Sequence, residues 1–514
     1  MPFSVRAMST TFAESSGTRS KAAGDYFLTG VLVMLCVNVV QRVVGLVRNF
    51  GFCRFLSEEQ LGSWALANSF FVIIVPVALL GLTGGFGRFI EHYRRKGQLG
   101  DYLLSMLAVS SLGVVATCLA IGLASGPFEW LVFSGSQPAS VVPWCIVTLL
   151  CLIVFSVVYE VVGGLRQVRV MSAMQFLQST LFAVVGLPLI AKFGSWTVLL
   201  PSYSVACCVA CLPGAWVLLK SFRQELAPSG HLVQSQMWKR ILPYAGALWL
   251  LNLFGNLFEV TDRYMLLHMS GAAEIGQAVV GEYHCGRIIP NLLVSVALML
   301  SGVLLPFVSQ DWEAGNKDGV TTRLRQMLVS ISAVFTVLGI AALTVAPYFF
   351  HVAFGDRYSL ALGVLPVALA HATWVGLFLV IQNYLLCIEK TRVLLVLSGM
   401  GLVVNIGLNA LLITSFGLMG AVVATSLSSL LALLLLGQLV RRLGCDLGAS
   451  SFLVMLLPIC LVGGPVLASA VVLAIVFVVG HTNWILSEKD RSDIDEAILP
   501  KLQKFGLRLD SIWP

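Results

Sequence analysis

The sequence is dominated by long apolar runs that are separated by short polar segments. Each run has about 20 residues or more, the length at which an α-helix crosses the hydrocarbon core of a bilayer. The runs fall at 26–47, 61–85, 102–124, 140–162, 172–191, 196–219, 241–267, 279–308, 326–350, 359–388, 393–414, 418–440 and 452–480. They predict an all-α integral membrane protein with twelve transmembrane spans, numbered 1 to 12 in chain order, and a thirteenth apolar segment.

Composition supports this class. Of the 514 residues, 58% are hydrophobic and 11% are charged, and the mean hydropathy is +0.91. Soluble domains carry about 25% charged residues, so a water-soluble globular protein is excluded. We predict a cytoplasmic N-terminal segment 1–25, an N-lobe 26–220, a cytoplasmic linker 221–240, a C-lobe 241–441, an additional transmembrane segment 452–480 and a polar tail 481–514.

Basic residues indicate how the spans are oriented, because cytoplasmic loops carry an excess of Lys and Arg. With the N-terminus inside, 20 basic residues lie in cytoplasmic segments, and only Arg48, Arg54, Lys192 and Arg357 lie in outer loops. A shift of one span would destroy this asymmetry, so it favours twelve spans and a cytoplasmic N-terminus. The net charge of +7 reflects these loops, and no nucleic-acid partner is expected.

The thirteenth apolar segment is interrupted by Gly463-Gly464-Pro465. It fits either one long tilted helix or a tight hairpin, which would make fourteen helices. The first places the C-terminal tail outside and the second places it inside, so both alternatives stay open.

Short matches between the two halves indicate an internal repeat. They pair 189–194 with 412–417 and 169–170 with 392–393 at an offset of 223, Pro127 with Pro347 at 220, and 60–62 with 274–276 at 214. Six spans per half give two parallel repeats, and such repeats form two lobes with a substrate site between them near mid-membrane. We therefore predict two six-helix lobes around a central cavity.

Polar side chains inside the spans are concentrated in a few of them. Insertion of a charged side chain at the centre of a transmembrane helix costs at least about 2.5–3.5 kcal/mol, so each one is expected to have a structural or functional role. The polar positions are Asn38, Gln41 and Arg42 in span 1, Asn68 in span 2, Asn252, Asn256, Glu259, Asp262 and Arg263 in span 7, Glu282, His284, Arg287 and Asn291 in span 8, His371, Gln382 and Asn383 in span 10, and Asn405 and Asn409 in span 11. We expect these spans to line a wet cavity, and spans 3, 5, 6, 9 and 12 to face lipid.

Three arginines from both halves lie at similar predicted depth, namely Arg42, Arg263 and Arg287. A guanidinium group keeps its charge and matches phosphate oxygens bidentately, so together they predict a phosphate or pyrophosphate site. Two other interpretations stay open. Glu259 and Arg263, four residues apart, can pair on one helix face, and long arginine side chains can reach the interface.

Other residues suggest how substrate enters and how transport is driven. Arg88 follows a glycine-rich segment at the predicted cytoplasmic mouth and fits either an electrostatic funnel or topology alone. Glu259, Asp262, Glu282 and His371 are candidate groups for coupling to a proton or sodium ion. No nucleotide-binding, metal-binding or hydrolase motif occurs in the sequence, so we expect neither an enzyme nor a cofactor.

Three segments resemble the polysaccharide-export branch of the multidrug/oligosaccharidyl-lipid/polysaccharide (MOP) superfamily. They are the stretch Gln41-Arg42-Val43-Val44-Gly45-Leu46-Val47-Arg48-Asn49, the stretch from Phe86-Gly87-Arg88 to Tyr93, and the stretch Thr261-Asp262-Arg263-Tyr264 followed by Glu274-Ile275-Gly276 and Tyr283. The resemblance implies a V-shaped two-lobe fold with a cationic cavity. On its pattern Arg42, Arg48, Arg88 and Arg263 are head-group contacts.

The resemblance also implies a function, namely flipping of polyprenyl-diphosphate-linked sugar units across the bacterial inner membrane. Related lipid II flippases have an Asp where this chain has Asn49, and an arginine pair where this chain has the apolar Leu79 and Leu80. A capsule, exopolysaccharide or O-antigen unit is therefore favoured over a peptidoglycan precursor, and polysaccharide assembly proteins are possible partners. The alternatives are a cation-coupled multidrug exporter of the same superfamily and a membrane-embedded polymerase or ligase.

From these observations the predicted substrate site comprises Arg42, Arg48, Arg88, Arg263, Arg287, Asn38, Gln41, Asn68 and Asn291.

Overall fold

The structure, a computed structural model, describes residues 37, 39–225, 233–355 and 357–481. The predicted N-terminal segment 1–25, the first part of span 1, Asn38, the linker residues 226–232 and the tail from 482 lie outside the described residues. Within the described ranges every regular element is an α-helix or a short 3₁₀ segment.

The first half of the chain consists of helices of very different length. Their bounds are 39–55 (α1), Glu58–Ala78 (α2), Thr83–Arg95 (α3), Leu99–Leu123 (α4), Ser125–Phe133 (α5), Val141–Gly164 (α6), Val168–Phe193 (α7) and Leu199–Glu225 (α8). Predicted span 2, at 61–85, ends earlier than expected. Ala78 closes α2, and α3 begins at Thr83 after a turn in which Leu80 and Gly81 have positive φ.

The second half contains longer helices. Their bounds are Gln234–Met269 (α9), Ala273–Gly286 (α10), Ile288–Glu313 (α11), Lys317–Phe354 (α12), Ser359–Cys387 (α13), Thr391–Arg442 (α14), Gly448–Leu456 (α15) and Gly464–His481 (α16). Predicted span 8 is divided into α10 and α11 at Arg287. The thirteenth segment is likewise divided, because the 3₁₀ segment Leu457–Gly463 separates α15 from α16.

Eleven stretches of the described chain are long and apolar enough to cross a membrane. One of them, α14, is two helices that meet at Gly417, where φ is +54° and ψ is −128°. This glycine lies at the predicted boundary between spans 11 and 12. The prediction of an all-α, multi-pass membrane protein is confirmed.

The internal repeat is supported by residues with positive φ, which recur at offsets of 218 to 223, within the range seen in the sequence. Gly97 and Gly315 are 218 residues apart, and Gly135 and Gly355 are 220 apart. Arg166 and Glu389, like Gly194 and Gly417, are 223 apart. Positive φ favours glycine and is uncommon for residues with a Cβ atom, so its recurrence at matching turns reflects a duplicated backbone.

Helix bounds follow the same relation. The first and last residues of α7, shifted by 223, give Thr391 and Phe416, the first residue of α14 and the one before its kink. The halves differ at one place. Ala124, with φ of −106° and ψ of +42°, separates α4 from α5, whereas α12 continues unbroken through the corresponding positions.

The described chain packs as two compact units. The first comprises residues up to 51, 78–120 and 143–245, and the second comprises 52–77, 121–142 and 246 onwards. In the first unit, α3 buries Phe86 and Tyr93 in a core with Tyr102 of α4 and Ile241 of α9. The predicted lobe boundaries around 220 and 241 stay a prediction.

The second unit is organised around α13, which packs against α10, α11, α12 and α14. It also contains a close crossing of α2 and α10. A Cβ atom added to Gly62 would lie 1.9 Å from the carbonyl oxygen of Gln277, and one added to Gly281 would lie 2.0 Å from that of Glu58. Only glycine at both positions allows the two backbones to approach so closely.

Candidate functional site

The break between α10 and α11 places Arg287 inside the second compact unit. Arg287 follows the last residue of α10 and precedes Ile288, and Pro290 lies in the first turn of α11. Proline has no backbone N–H and is tolerated in a first turn, so a new helix begins here rather than the old one continuing. Only 5% of the Arg287 surface is exposed.

Arg287 is held by neutral side chains. Its Nη1 donates to the Tyr283 hydroxyl oxygen at 2.7 Å, and its Nη2 lies 3.3 Å from Nε2 of His371 on α13. The guanidinium carbon lies 5.3 Å from the centre of the Tyr283 ring. Among the described residues no carboxylate oxygen lies within 4.0 Å of either Arg287 or Arg263. Both buried charges are therefore without a direct ion pair.

Asp262 of α9 is the centre of a buried hydrogen-bond network and is fully shielded from solvent. Its Oδ2 accepts from the hydroxyl groups of Tyr283 and, at 2.6 Å, Thr425. Its Oδ1 accepts from the side-chain amides of Asn409 at 2.8 Å and Asn405 at 3.4 Å. Both oxygens are thus supplied with donors, as a buried carboxylate requires.

Tyr283 connects this network to the arginine. Its hydroxyl group donates to Asp262 and accepts from Arg287, so the phenol lies between the two opposite charges. Asp262 therefore compensates the charge of Arg287 through Tyr283 and not by direct contact. The same hydrogen bonds fix the position of the guanidinium group.

A cavity of about 220 Å³ lies beside Arg287, between α9, α11, α13 and α14. Most of its wall is apolar, and it includes the rings of Phe254, Phe258 and Phe378. Polar groups reach it from a few positions, namely Glu259, Arg287, Asn291, His371, Ser398 and Ser429. An apolar cavity with a few convergent polar groups has the composition of a ligand site.

Four of the predicted residues line this cavity, namely Arg287, His371, Asn291 and Glu259. Asn291 is half-buried one turn after Arg287, and Glu259 is exposed on α9. The Glu259 carboxylate attracts the guanidinium groups of both Arg263 and Arg287 electrostatically. The cavity therefore presents both a cation, Arg287, and an anion, Glu259.

Arg263 points elsewhere. Its Nη1 donates to the hydroxyl oxygen of Ser69 on α2 at 2.6 Å, and its Nε has no partner. The next residue, Tyr264, donates through its hydroxyl group to the carbonyl oxygen of Leu66 at 3.2 Å. These bonds attach α9 to α2, and Asn68 lies half-buried on the same helix.

Glu282 is buried and accepts from the backbone N–H of Ala361 at 2.8 Å. Ala361 lies in the first turn of α13, where N–H groups have no partner within the helix. A carboxylate stabilises this end of a helix. Glu282 therefore caps the helix that carries His371.

The remaining predicted residues lie in the first compact unit. Arg42 is exposed and Gln41 is half-buried on α1. The guanidinium carbon of Arg48 lies 5.0 Å from the centre of the Phe182 ring, and its Nε is buried without a partner. Arg88 is exposed on α3, and its guanidinium carbon lies 4.2 Å from the centre of the Tyr244 ring.

A basic surface surrounds Arg88 at the end of α3. The Nη1 atom of Arg240 lies 2.9 Å from Nε2 of His92, and the Arg95 guanidinium forms an ion pair with Glu91 at 3.0 Å. Burial, together with the positive charges of Arg240 and Lys96, lowers the pKa of His92. A hydrogen bond from Arg95 is the main reason why the pKa of Glu91 is lowered.

Several residues of the site were not predicted from the sequence because they carry no charge. Span 12 was expected to face lipid, and this is wrong for its buried face. Thr425 contacts Asp262, and the Ser429 hydroxyl group lies 3.0 Å from Nδ1 of His371. The run Thr425-Ser426-Leu427-Ser428-Ser429 was the available signal, since so many hydroxyl groups are unusual on a lipid-facing helix.

Residues 27–312, which are 286 of the 514, match the family described as polysaccharide biosynthesis protein. No curated protein sequence matches the chain. Among solved structures, lipid II flippase MurJ in an inward closed conformation has a TM-score of 0.64 at 16% identity, over 84% of this chain and 91% of that one.

Two structures of a multidrug resistance MATE family transporter of the MOP superfamily also share the fold. The inward-facing conformation has a TM-score of 0.62 at 16% identity, over 81% of this chain and 99% of that one. The outward-facing conformation has a TM-score of 0.53 at 16% identity, over 80% of this chain and 92% of that one. The sequence match over more than half of the chain establishes that this protein belongs to the polysaccharide biosynthesis protein family.

Proposed function

We propose that this protein moves a polyprenyl-diphosphate-linked oligosaccharide, a unit of capsule, exopolysaccharide or O-antigen, from the cytoplasmic to the outer leaflet of the bacterial inner membrane. The observation that carries the proposal is Arg287, a buried guanidinium group at an apolar cavity with neutral partners only. Because its charge is not neutralised by a direct ion pair, the guanidinium group of Arg287 can still bind an anion. Phosphate oxygens fit its geometry, and the low dielectric of the cavity strengthens the attraction.

In this proposal the two lobes expose the site alternately to the two sides, while the polyprenyl tail stays in lipid. Arg42, Arg48, Arg88 and Arg263 are proposed as further contacts of the anionic head group along its path. Asn38, Gln41, Asn68 and Asn291 are proposed to donate to or accept from its sugar and phosphate oxygens. Transport of this kind breaks no bond in the substrate, so the protein is proposed not to be an enzyme.

The candidate coupling groups have different surroundings. Asp262 is saturated by four donors, and Glu282 is bound to the start of α13. Glu259 is the carboxylate that lines the cavity. We infer that Glu259 is the most accessible carboxylate for a proton or sodium ion entering the cavity, and that Asp262 and Glu282 act through their hydrogen bonds.

A cation-coupled multidrug exporter is the second candidate, and Glu259 is the observation that favours it. An exposed carboxylate beside three phenylalanine rings also suits an organic cation, because aromatic faces attract positive charge. This alternative predicts that Glu259 dominates ligand binding, whereas the flippase predicts that Arg287 does.

Replacement of arginines in cells that depend on this protein tests the two candidates. Arg42→Ala, Arg263→Ala and Arg287→Ala should each cause lipid-linked sugar to accumulate in the inner leaflet, and Arg287→Ala should do so most strongly. Arg442→Ala, at an exposed position at the end of α14, is the matched control. Normal glycan export by all three variants would refute the site, and drug efflux that requires Glu259 would favour the exporter.

A further inference from the structure

The hydrogen bonds around His371 determine where its proton lies. Arg287 has only donors, so the His371 Nε2 atom at 3.3 Å must be the acceptor and carries no proton. The remaining proton of the neutral ring is on Nδ1, which lies 3.0 Å from the Ser429 hydroxyl oxygen. That hydroxyl group donates in turn to the carbonyl oxygen of Thr425 at 2.9 Å. The arrangement therefore holds a neutral imidazole with its proton on Nδ1.

This arrangement cannot accommodate a second proton on the ring. A protonated His371 has donors at both nitrogen atoms, so its Nε2–H would point at the Arg287 guanidinium with no acceptor between them. Two positive charges would also lie in contact in a buried site, where Coulomb repulsion is poorly screened. The Nε2 atom of His371 can therefore either accept a hydrogen bond from Arg287 or carry a proton, but not both.

We propose that Arg287 and His371 form an exchange site, in which a proton replaces Arg287 as the partner of His371 Nε2 when an anion binds to Arg287. When a phosphate group in the cavity draws Arg287 away from His371, Nε2 becomes free and takes up a proton from water. The imidazolium then stands beside the bound anion and adds one positive charge to its binding site. When the proton leaves, Nε2 again accepts from Arg287, and the anion loses both partners.

Few other charged groups face His371. Tyr283 of α10 and Asp262 of α9 reach it through Arg287, and Glu259 of α9 lies in the same cavity wall. Glu282 of α10 is bound to Ala361, ten residues earlier in α13. From α14 the neighbours are Ser429 and Thr425, which do not titrate. The charged residues of α11 and α14 lie in the terminal turns of those helices. Those of α12 lie within its first nine residues, 317–325, and His351 lies in its last turn. The 3₁₀ segment Leu457–Gly463 contributes a thiol, Cys460.

This inference rests on the proposed function, because it assumes that an anion reaches Arg287. It adds that the site takes up a proton together with the anion. In this inference the proton resides on the His371 ring and not on a carboxylate.

Proton uptake on ligand binding tests the exchange. The probe is farnesyl diphosphate added to the purified full-length protein, with farnesol as the control that lacks phosphate. Titration calorimetry in two buffers of different ionisation heat gives the number of protons taken up. We expect up to about one proton per bound diphosphate in the wild type. His371→Gln retains an acceptor for Arg287 and should bind the probe without proton uptake, whereas His351→Gln, at an exposed position in α12, should resemble the wild type.

The possible results separate this inference from the proposed function. Binding that requires Arg287 without proton uptake, or uptake that persists in His371→Gln, would overturn the exchange site and leave the flippase intact. Absence of binding, or binding unaffected by Arg287→Ala, would overturn both. Nitrogen NMR of ¹⁵N-histidine in the wild type is independent of any variant. One of the seven rings should change from the Nδ1–H form to the imidazolium when the probe is added, and no such change would contradict the exchange.

Discussion

The buried charges of Asp262, Arg263 and Arg287 are held by neutral partners and not by direct ion pairs. Asp262 and Arg287 share the Tyr283 hydroxyl group, and Arg263 is bound to Ser69. Because the Tyr283 phenol separates Asp262 from Arg287, each charge is only partly compensated, whereas a direct ion pair would compensate both. Arg287 therefore retains attraction for an external anion while remaining fixed in position.

A prediction for a single residue concerns His92, which lies on the basic surface at the end of α3. Burial, then Arg240, then Lys96 lower its pKa below the usual 6.5. Arg240→Ala should therefore raise the His92 titration midpoint measured by NMR, and Lys96→Ala should raise it less. A midpoint that falls or stays constant in Arg240→Ala would contradict the role of the neighbouring charge.

The lowered pKa of His92 also makes the stability of the protein depend on pH. Because the folded pKa of His92 is depressed, its contribution is present above the unfolded value and is lost as the pH falls through the folded value. The wild type should thus lose stability on acidification below about pH 6.5, and Arg240→Ala should lose less of it. Thermal unfolding midpoints measured as a function of pH provide the check.

At the scale of helices, the closest approach in the second unit is the crossing of α2 and α10. Gly62→Ala would place a methyl group 1.9 Å from the carbonyl oxygen of Gln277, so the backbones must separate. Overpacking of this kind costs about 1–3 kcal/mol, and the unfolding midpoint should fall. Gly302→Ala, on the exposed face of α11 with no atom within 4 Å, is the matched control and should leave the midpoint unchanged or higher. Equal midpoints for the two variants would show that the crossing is not tight.

Helices that are defined by their apolar runs could be predicted from the sequence, and helix breaks could not. The runs located the long helices, and the match of 189–194 with 412–417 anticipated the turns at Gly194 and Gly417. The breaks after Ala78 and at Arg287 lie inside apolar runs that contain glycine or proline, but tertiary packing decides whether such a residue interrupts the helix.

The candidate site could be predicted in part for a similar reason. Arg263, Arg287, Asp262 and His371 stood out because a charged or titratable group is costly inside a membrane. Tyr283, Thr425 and Ser429 carry no such cost, and only the folded arrangement shows that they hold the charged groups. The sequence also left the partner of each charge open, since pairing depends on helix rotation.

At the scale of the whole molecule, the fold is shared by a lipid II flippase and by a multidrug resistance transporter, so the fold alone does not decide the substrate. The content of the cavity is the better guide. Buried Arg287 with neutral partners favours an anionic head group, and the matching family, described as polysaccharide biosynthesis protein, supports a glycan carrier.

The central claim is that Arg287 binds the diphosphate during its passage through the membrane. The most direct test is the translocation rate of a fluorescent polyprenyl-diphosphate disaccharide in proteoliposomes that contain the purified protein. We predict transport by the wild type and Arg442→Ala, and at least a tenfold lower rate for Arg287→Ala, since one charge-assisted contact contributes about 1.5–3 kcal/mol. Equal rates for the wild type and Arg287→Ala, at equal protein content, would contradict the account.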